Sequence, residues 1–311
     1  MGTTVRVQHG ISCPDIGPVC AVRDEPRQTH DQQFWIAELR LQAEYGFTDW
    51  LSAELQLPFR LSGTTIVYRS LDGTAFVPDH RDIHHRNETL VGLGDLWLSA
   101  RFRQRFGAFS LAARAGLTLP LGRTEENPFA AGRAGLEHQH VQFGTGTVDP
   151  LLGLELSYAW ERVTARLYGQ AQLTLSVSPR SFQAGSRFGG GVAVDFTLLP
   201  VLQLGATAES LTELPERWNG VVEQDGNVGR TDVLLGLSAS WTVGGATLSL
   251  SVRTPVYQHF IVTGADGGQL KYPAIVQLSF QRPFDLLHWA FLSDSAAIAP
   301  LEAQQTGEAH R

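Results

Sequence analysis

Residues 51–61 alternate without a break: Leu51, Ala53, Leu55, Leu57, Phe59 and Leu61 are apolar, while Ser52, Glu54, Gln56, Pro58 and Arg60 between them are not. A period of two marks a strand with one apolar and one polar face. The pattern returns at 163–175, where Val163, Ala165, Leu167, Ala171, Leu173 and Leu175 oppose Thr164, Arg166, Tyr168, Gln170, Gln172 and Thr174. It returns again at 246–256, where Ala246, Leu248, Leu250, Val252 and Val256 oppose Thr247, Ser249, Ser251 and Arg253. Such runs reach the roughly nine to eleven residues that a tilted strand needs to cross a bilayer.

Read through the whole chain, alternation predicts about twelve strands, near 3–8, 34–47, 50–62, 90–105, 108–120, 147–160, 162–175, 188–199, 201–211, 231–242, 246–258 and 272–281. The connections fall into two classes. Short turns, such as Phe106–Gly107 and Leu199–Pro200, alternate strictly with long loops at 9–32, 63–89, 121–146, 176–187, 212–230 and 259–271. This is the layout of an all-β, antiparallel up-and-down transmembrane barrel with short periplasmic turns and long extracellular loops. Tyr45, Phe47, Trp50, Phe106, Phe109, Tyr158, Trp160, Trp241 and Phe280 gather at the short-turn ends, as an interfacial girdle requires. A soluble β-sandwich would share the alternation but has no reason to collect rings there. The expected organisation is a barrel over residues 1–282 and a tail over 283–311, apolar at first and then small and polar, since Pro283 cannot continue a ladder.

Composition narrows the class further. Mean hydropathy is −0.08 and no stretch approaches eighteen consecutive apolar residues, which excludes a helical membrane protein but not a barrel, whose strands are half polar. A net charge of −7 argues against a nucleic-acid partner. Of the 24 basic residues only Lys271 is lysine, and guanidinium suits permanent bidentate pairing in a confined space. The expected location is the bacterial outer membrane, although Met1–Gly10 carries no export signal. Cys13 and Cys20 are the two cysteines; in an oxidising compartment they could close a small loop, or stand as two separate thiols.

Several segments resemble the bacterial outer-membrane "transporter" family associated with the MetA pathway of phenol degradation. They are Glu44-Tyr-Gly-Phe-Thr-Asp-Trp-Leu51 with Leu57-Pro58, Gly92-Leu-Gly-Asp95, Leu117-Thr-Leu-Pro-Leu-Gly122, and above all Gly144-Thr-Gly-Thr-Val-Asp-Pro-Leu-Leu-Gly153. The resemblance spans roughly residues 34–281. It implies an outer-membrane barrel associated with passage of small, often aromatic or hydrophobic compounds.

With the apolar face turned to lipid, the chemistry lies inside. That places Glu38, Arg40, Glu44, Glu54, Arg60, Asp95, Arg101, Arg103, Arg114, Glu155, Arg166, Asp195, Glu209, Asp232 and Arg253 in the lumen. Near balance between acids and arginines points to cross-strand pairs, which either fill the barrel or set its selectivity. His80, His84 and His85 in one long loop and His138 and His140 in the next could bind zinc or copper if the loops meet, or be ordinary loop histidines. No cofactor is expected. Catalytic patterns are weak: Gly189-Gly-Gly191 opens a strand and offers no phosphate site, and no Gly-x-Ser-x-Gly elbow occurs. His259 is too far along its strand from Ser249 and Ser251 to pair with them there. The leading expectation is a channel for small molecules, not an enzyme, with lipid and solute as partners. A plugged barrel binding a protein through its loops or C-terminal tail is the second, and a rim-located hydrolase a distant third.

Overall fold

The computed structural model describes residues 3–9, 28–75, 77, 86–224, 226–262 and 270–284. The regular structure of the described chain is almost entirely antiparallel strand. The wall runs in the order β1 (Thr3–His9), β2 (Gln28–Gly46), β3 (Leu51–Ser70), β5 (Leu96–Phe106), β6 (Phe109–Leu119), β7 (Pro150–Trp160), β8 (Val163–Gln172), β10 (Arg187–Leu199), β11 (Leu202–Glu213), β13 (Arg230–Val243), β14 (Ala246–Phe260) and β15 (Ile275–Gln281). A shorter strand, β4 (Glu88–Leu93), continues the line of β5 along β3. Two small strands, β9 (Phe182–Gln183) and β12 (Arg217–Trp218), pair with each other outside the wall. No pairing joins β1 to β15 among the described residues, so the wall is a rolled sheet with one open seam. Residues from β2, β11 and β13 nevertheless line one cavity, which shows how far the sheet curls. None of the helices among the described residues is long and apolar enough to cross a membrane.

Each strand keeps the alternation that formed it. On the outer face Leu39, Leu41, Leu98, Leu154, Leu167, Val192, Val194, Leu237 and Leu250 are exposed on the wall, a surface that only lipid would cover favourably. Rings crowd the outer face at the short-turn end, where Tyr45 meets Phe47 at 5.2 Å, Trp50 meets Phe102 at 5.7 Å and Phe109 meets Tyr158 at 4.6 Å.

Two irregularities reset the phase. The segment expected as one strand over 90–105 is broken at Gly94–Asp95, so outward positions are Val91 and Leu93 before it and Leu98 and Phe102 after it. On β14 the register slips beside Val256, which bulges, and His259 then sits opposite Thr231 on the outward face.

Three long loops, 120–149, 173–186 and 214–229, are fused into a cap. Phe129 from the short helix α1 (Pro128–Arg133), Phe182 and Ala184 from the second loop and Trp218 from the third form its core, with the Phe182 and Trp218 rings 4.7 Å apart. Trp218 and Phe182 are almost wholly buried, and each such side chain contributes about 1.5–3 kcal/mol to holding the loops together.

Candidate functional site

The interior begins with the inward charges. Glu54 is buried and accepts a bidentate pair from Arg114 across the wall, with Ser99 donating at 3.3 Å. Arg101 stands between Glu54 at 3.6 Å and Glu44 at 3.7 Å, and Ser52 donates to Glu44. Glu38 accepts from both Arg40 and Arg60. Arg166 pairs with Asp195 at 2.7 Å. Glu209 accepts from Arg253 at 2.7 Å and from the Tyr168 hydroxyl at 3.0 Å. Asp232 takes two bonds from Arg230 and one from the Tyr272 hydroxyl. These clusters bring together most of the charged residues read from the alternation. Arg103 and Glu155 make no ion pair among the described residues.

Asp95 also faces the interior, but its partners belong to the cap and not to another strand. It is buried against the cap, where it accepts from the Gly122 amide at 3.0 Å, the Thr145 amide at 2.7 Å and the Thr145 hydroxyl at 2.9 Å. Asp149 is the matching anchor: Thr147 donates to it at 2.7 Å and Gln172 at 2.9 Å, while its own amide donates to Thr118. Between them the Phe143 ring lies over Gly92, where a β-carbon would come within 2.8 Å, and Arg60 donates to the Phe143 carbonyl at 3.1 Å. The cap loop is therefore pinned inside the wall at two carboxyl groups, each accepting several hydrogen bonds. The motif pieces 92–95 and 144–153 are the two halves of this clamp.

Under the cap lie three neighbouring cavities of about 340, 270 and 470 Å³. The first is bounded by Trp97, Leu151, Leu211, Tyr272 and Arg114. It shares Trp97, Gln172, Arg187 and Glu213 with the second, and the second shares Phe34, Ile36, His140 and Glu213 with the third. Glu213 borders all three. In register it stands between Arg187 on β10 and Arg230 on β13, and Arg187 donates to one of its oxygens at 2.9 and 3.0 Å. Arg230 is stacked against Tyr272 at 5.0 Å and Phe260 at 5.5 Å. We call this meeting point of the three cavities the neck.

Sequence reasoning missed the neck for a local reason. Arg187, Glu213 and Arg230 lie one or two residues outside the strand limits set by alternation, and so were assigned to loops. It also missed the apolar residues on the polar face. Phe34, Ile36, Trp97, Leu151 and Leu211 occupy inward positions, and Ile36 is 63% exposed there. An apolar residue at a nominally polar position is the signal that could have found them.

The remaining candidates are dispersed. His138 and His140 stack 5.2 Å apart, with His138 Nδ1 2.8 Å from the Leu136 carbonyl. Burial holds His140 well below the usual histidine range, at about 4, with His138 adding to the effect. His80, His84, His85, Cys13, Cys20 and residues 285–311 lie outside the described residues. No group of three or more metal-ligating side chains occurs among the described ones. His259 stacks on Tyr257 on the outward face, whereas Ser249 and Ser251 face inward opposite Ser240 and Ser238.

Comparison with known proteins supports the architecture. No family model and no curated protein matches the chain. Among solved structures it is similar to the COG4313 outer membrane channel from Pseudomonas putida F1, at 15% identity over 90% of this chain and 91% of that one, with a TM-score of 0.50. It also aligns with OmpT, an outer membrane protein of Vibrio cholerae, at 9% identity over 88% and 90% of the two chains and a TM-score of 0.35. The fold is thus that of an outer-membrane β-barrel, as the alternation, the loop classes and the girdle required.

Proposed function

We propose that this chain is a bacterial outer-membrane channel for small, uncharged, apolar or aromatic solutes, with the cap on the extracellular side and the short turns on the periplasmic side. The observation that carries this is the inward apolar track. Phe34 and Ile36 lead under the cap, Trp97 spans the neck, and Leu151 and Leu211 continue into the cavity beyond. Around that track almost every charge is already matched by an opposite one, as at Arg187–Glu213, Arg114–Glu54 and Arg253–Glu209. An ion would have to leave its hydration shell for walls whose charges are spent on each other, whereas a neutral ring loses little water and gains apolar contact. The structural likeness to an outer membrane channel supports passage rather than catalysis.

A plugged barrel that presents its cap to a protein is the competing reading, favoured by the Asp95 and Asp149 clamp. The two part in proteoliposomes. A channel takes up a phenolic solute faster than empty vesicles do while passing little ionic current in planar bilayers. A plug gives uptake no faster than protein-free vesicles.

A further inference from the structure

Alternation on β5 turns Arg101, Arg103 and Arg105 inward in succession, about 7 Å apart along the strand and descending to the Phe106–Gly107 turn. Arg101 is held by Glu44 and Glu54. Arg103 and Arg105 are exposed, stand in register with Ala112 and Ser110, and form no ion pair among the described residues. The nearest inward acid on β7, Glu155, stands across Ala112 from Arg103 and forms no ion pair with it. Elsewhere at this end the inward groups are hydroxyls, with Ser110 meeting Ser157 at 2.5 Å, Ser240 meeting Ser249 at 2.8 Å and Thr242 meeting Thr247 at 2.9 Å, and the closed Arg166–Asp195 pair, whose Arg166 stands in register with Ser157. The turn-side mouth therefore carries two guanidinium groups that form no ion pair among the described residues, beside hydroxyls and one closed ion pair. Low-dielectric walls around such a mouth focus its positive potential.

We infer that Arg103 and Arg105 form a docking site for small carboxylate-bearing solutes at the periplasmic mouth, which gives the residual ion current of the proposed channel an anion preference. Guanidinium at two successive inward positions offers forked donors to a carboxylate, and the flanking hydroxyls can take its second oxygen. A neutral ring has no such hold there. The inference rests on the channel reading only for the current; the docking itself does not need flux.

The test uses the whole folded chain in detergent and 4-fluorobenzoate beside 4-fluorobenzyl alcohol, read by fluorine NMR line broadening. The benzoate should bind more tightly than the alcohol, and Arg103→Gln with Arg105→Gln should weaken the benzoate about tenfold while leaving the alcohol unchanged. Arg103→Lys with Arg105→Lys, which keeps the charge and loses the fork, should weaken the benzoate less than the Gln pair does. Equal binding of the two probes, or benzoate binding indifferent to the Gln pair, overturns the inference even if the protein conducts. In planar bilayers under a potassium chloride gradient, the wild-type reversal potential should take the anion sign and move toward zero in the Gln pair. An unchanged potential would refute the selectivity role. Loss of solute flux with benzoate binding intact would strike at the channel reading alone.

Discussion

Asp95→Ala removes one of the two acceptors that pin the cap inside the barrel. Three bonds end on this carboxylate, from the Gly122 amide, the Thr145 amide and the Thr145 hydroxyl. Hydrogen bonds to a charged group contribute about 1.5–3 kcal/mol each, and both amides would be left buried without an acceptor. The three share one residue and do not add fully, so cap docking should lose roughly 3–6 kcal/mol. The wall strands keep their ladders, and the loss should therefore appear as local opening, with an equilibrium shifted by about 100-fold or more. Hydrogen exchange resolved to segment 121–147 is the assay. Exchange there should rise by that factor while β8, β10 and β11 stay protected. Ionic conductance should rise as the neck loses its roof. Asp72→Ala, which disturbs only an exposed turn with Thr74, is the control. Unchanged exchange at 121–147 in Asp95→Ala would refute the clamp.

Three further outcomes are expected. Leu167→Arg and Leu250→Arg should cost about 2–4 kcal/mol near the bilayer midplane, whereas Gln170→Arg, on the inner face, should be tolerated in folding titrations into lipid vesicles. Gly92→Ala would drive a methyl group into the Phe143 ring and should loosen residues 142–145 by about 1–3 kcal/mol, seen as faster exchange confined to that stretch. The cap should also respond to pH in two opposed ways. Burial raises Glu216 to about 7 from 4.5, so the docked loop holds a proton that the free loop releases, and docking of 214–229 weakens as pH rises from about 4.5 through 7. His140, lowered to about 4 from 6.5, stays neutral when docked, so docking of 120–149 weakens as pH falls from about 6.5 to 4. Exchange rates of each loop across this range, with Glu216→Gln abolishing the first trend, provide the check.

The wall was legible because lipid on one side and polar groups on the other impose a strict period of two, which survives in residues such as Leu167 against Gln170 or Leu250 against Ser251. It failed where the phase breaks: Gly94–Asp95 interrupts the segment expected as one strand, and Val256 bulges. The neck was hidden because strands run one or two residues farther than their alternation, carrying Arg187, Glu213 and Arg230 into the wall. The cap was illegible for a different reason. Phe129, Phe182 and Trp218 come together from three loops separated by dozens of residues, and no local period records a core assembled at that range. The apolar lining was legible only in hindsight, since Ile36 or Trp97 at an inward position looks like noise in an alternating run until the cavity they share is seen.

The proposed passage for small apolar solutes runs along the inner face beside Glu213. Gly189 faces that passage, and a β-carbon there would already press on Leu211 and Gln170 at 3.2 and 3.3 Å. Phenol uptake into proteoliposomes should therefore be compared between wild type and Gly189→Phe, with both proteins shown to be equally folded by heat-modifiable mobility. A ring placed there fills much of the 340 Å³ cavity, and uptake should fall about tenfold or more toward the protein-free rate. Uptake by Gly189→Phe at the wild-type rate would contradict the passage.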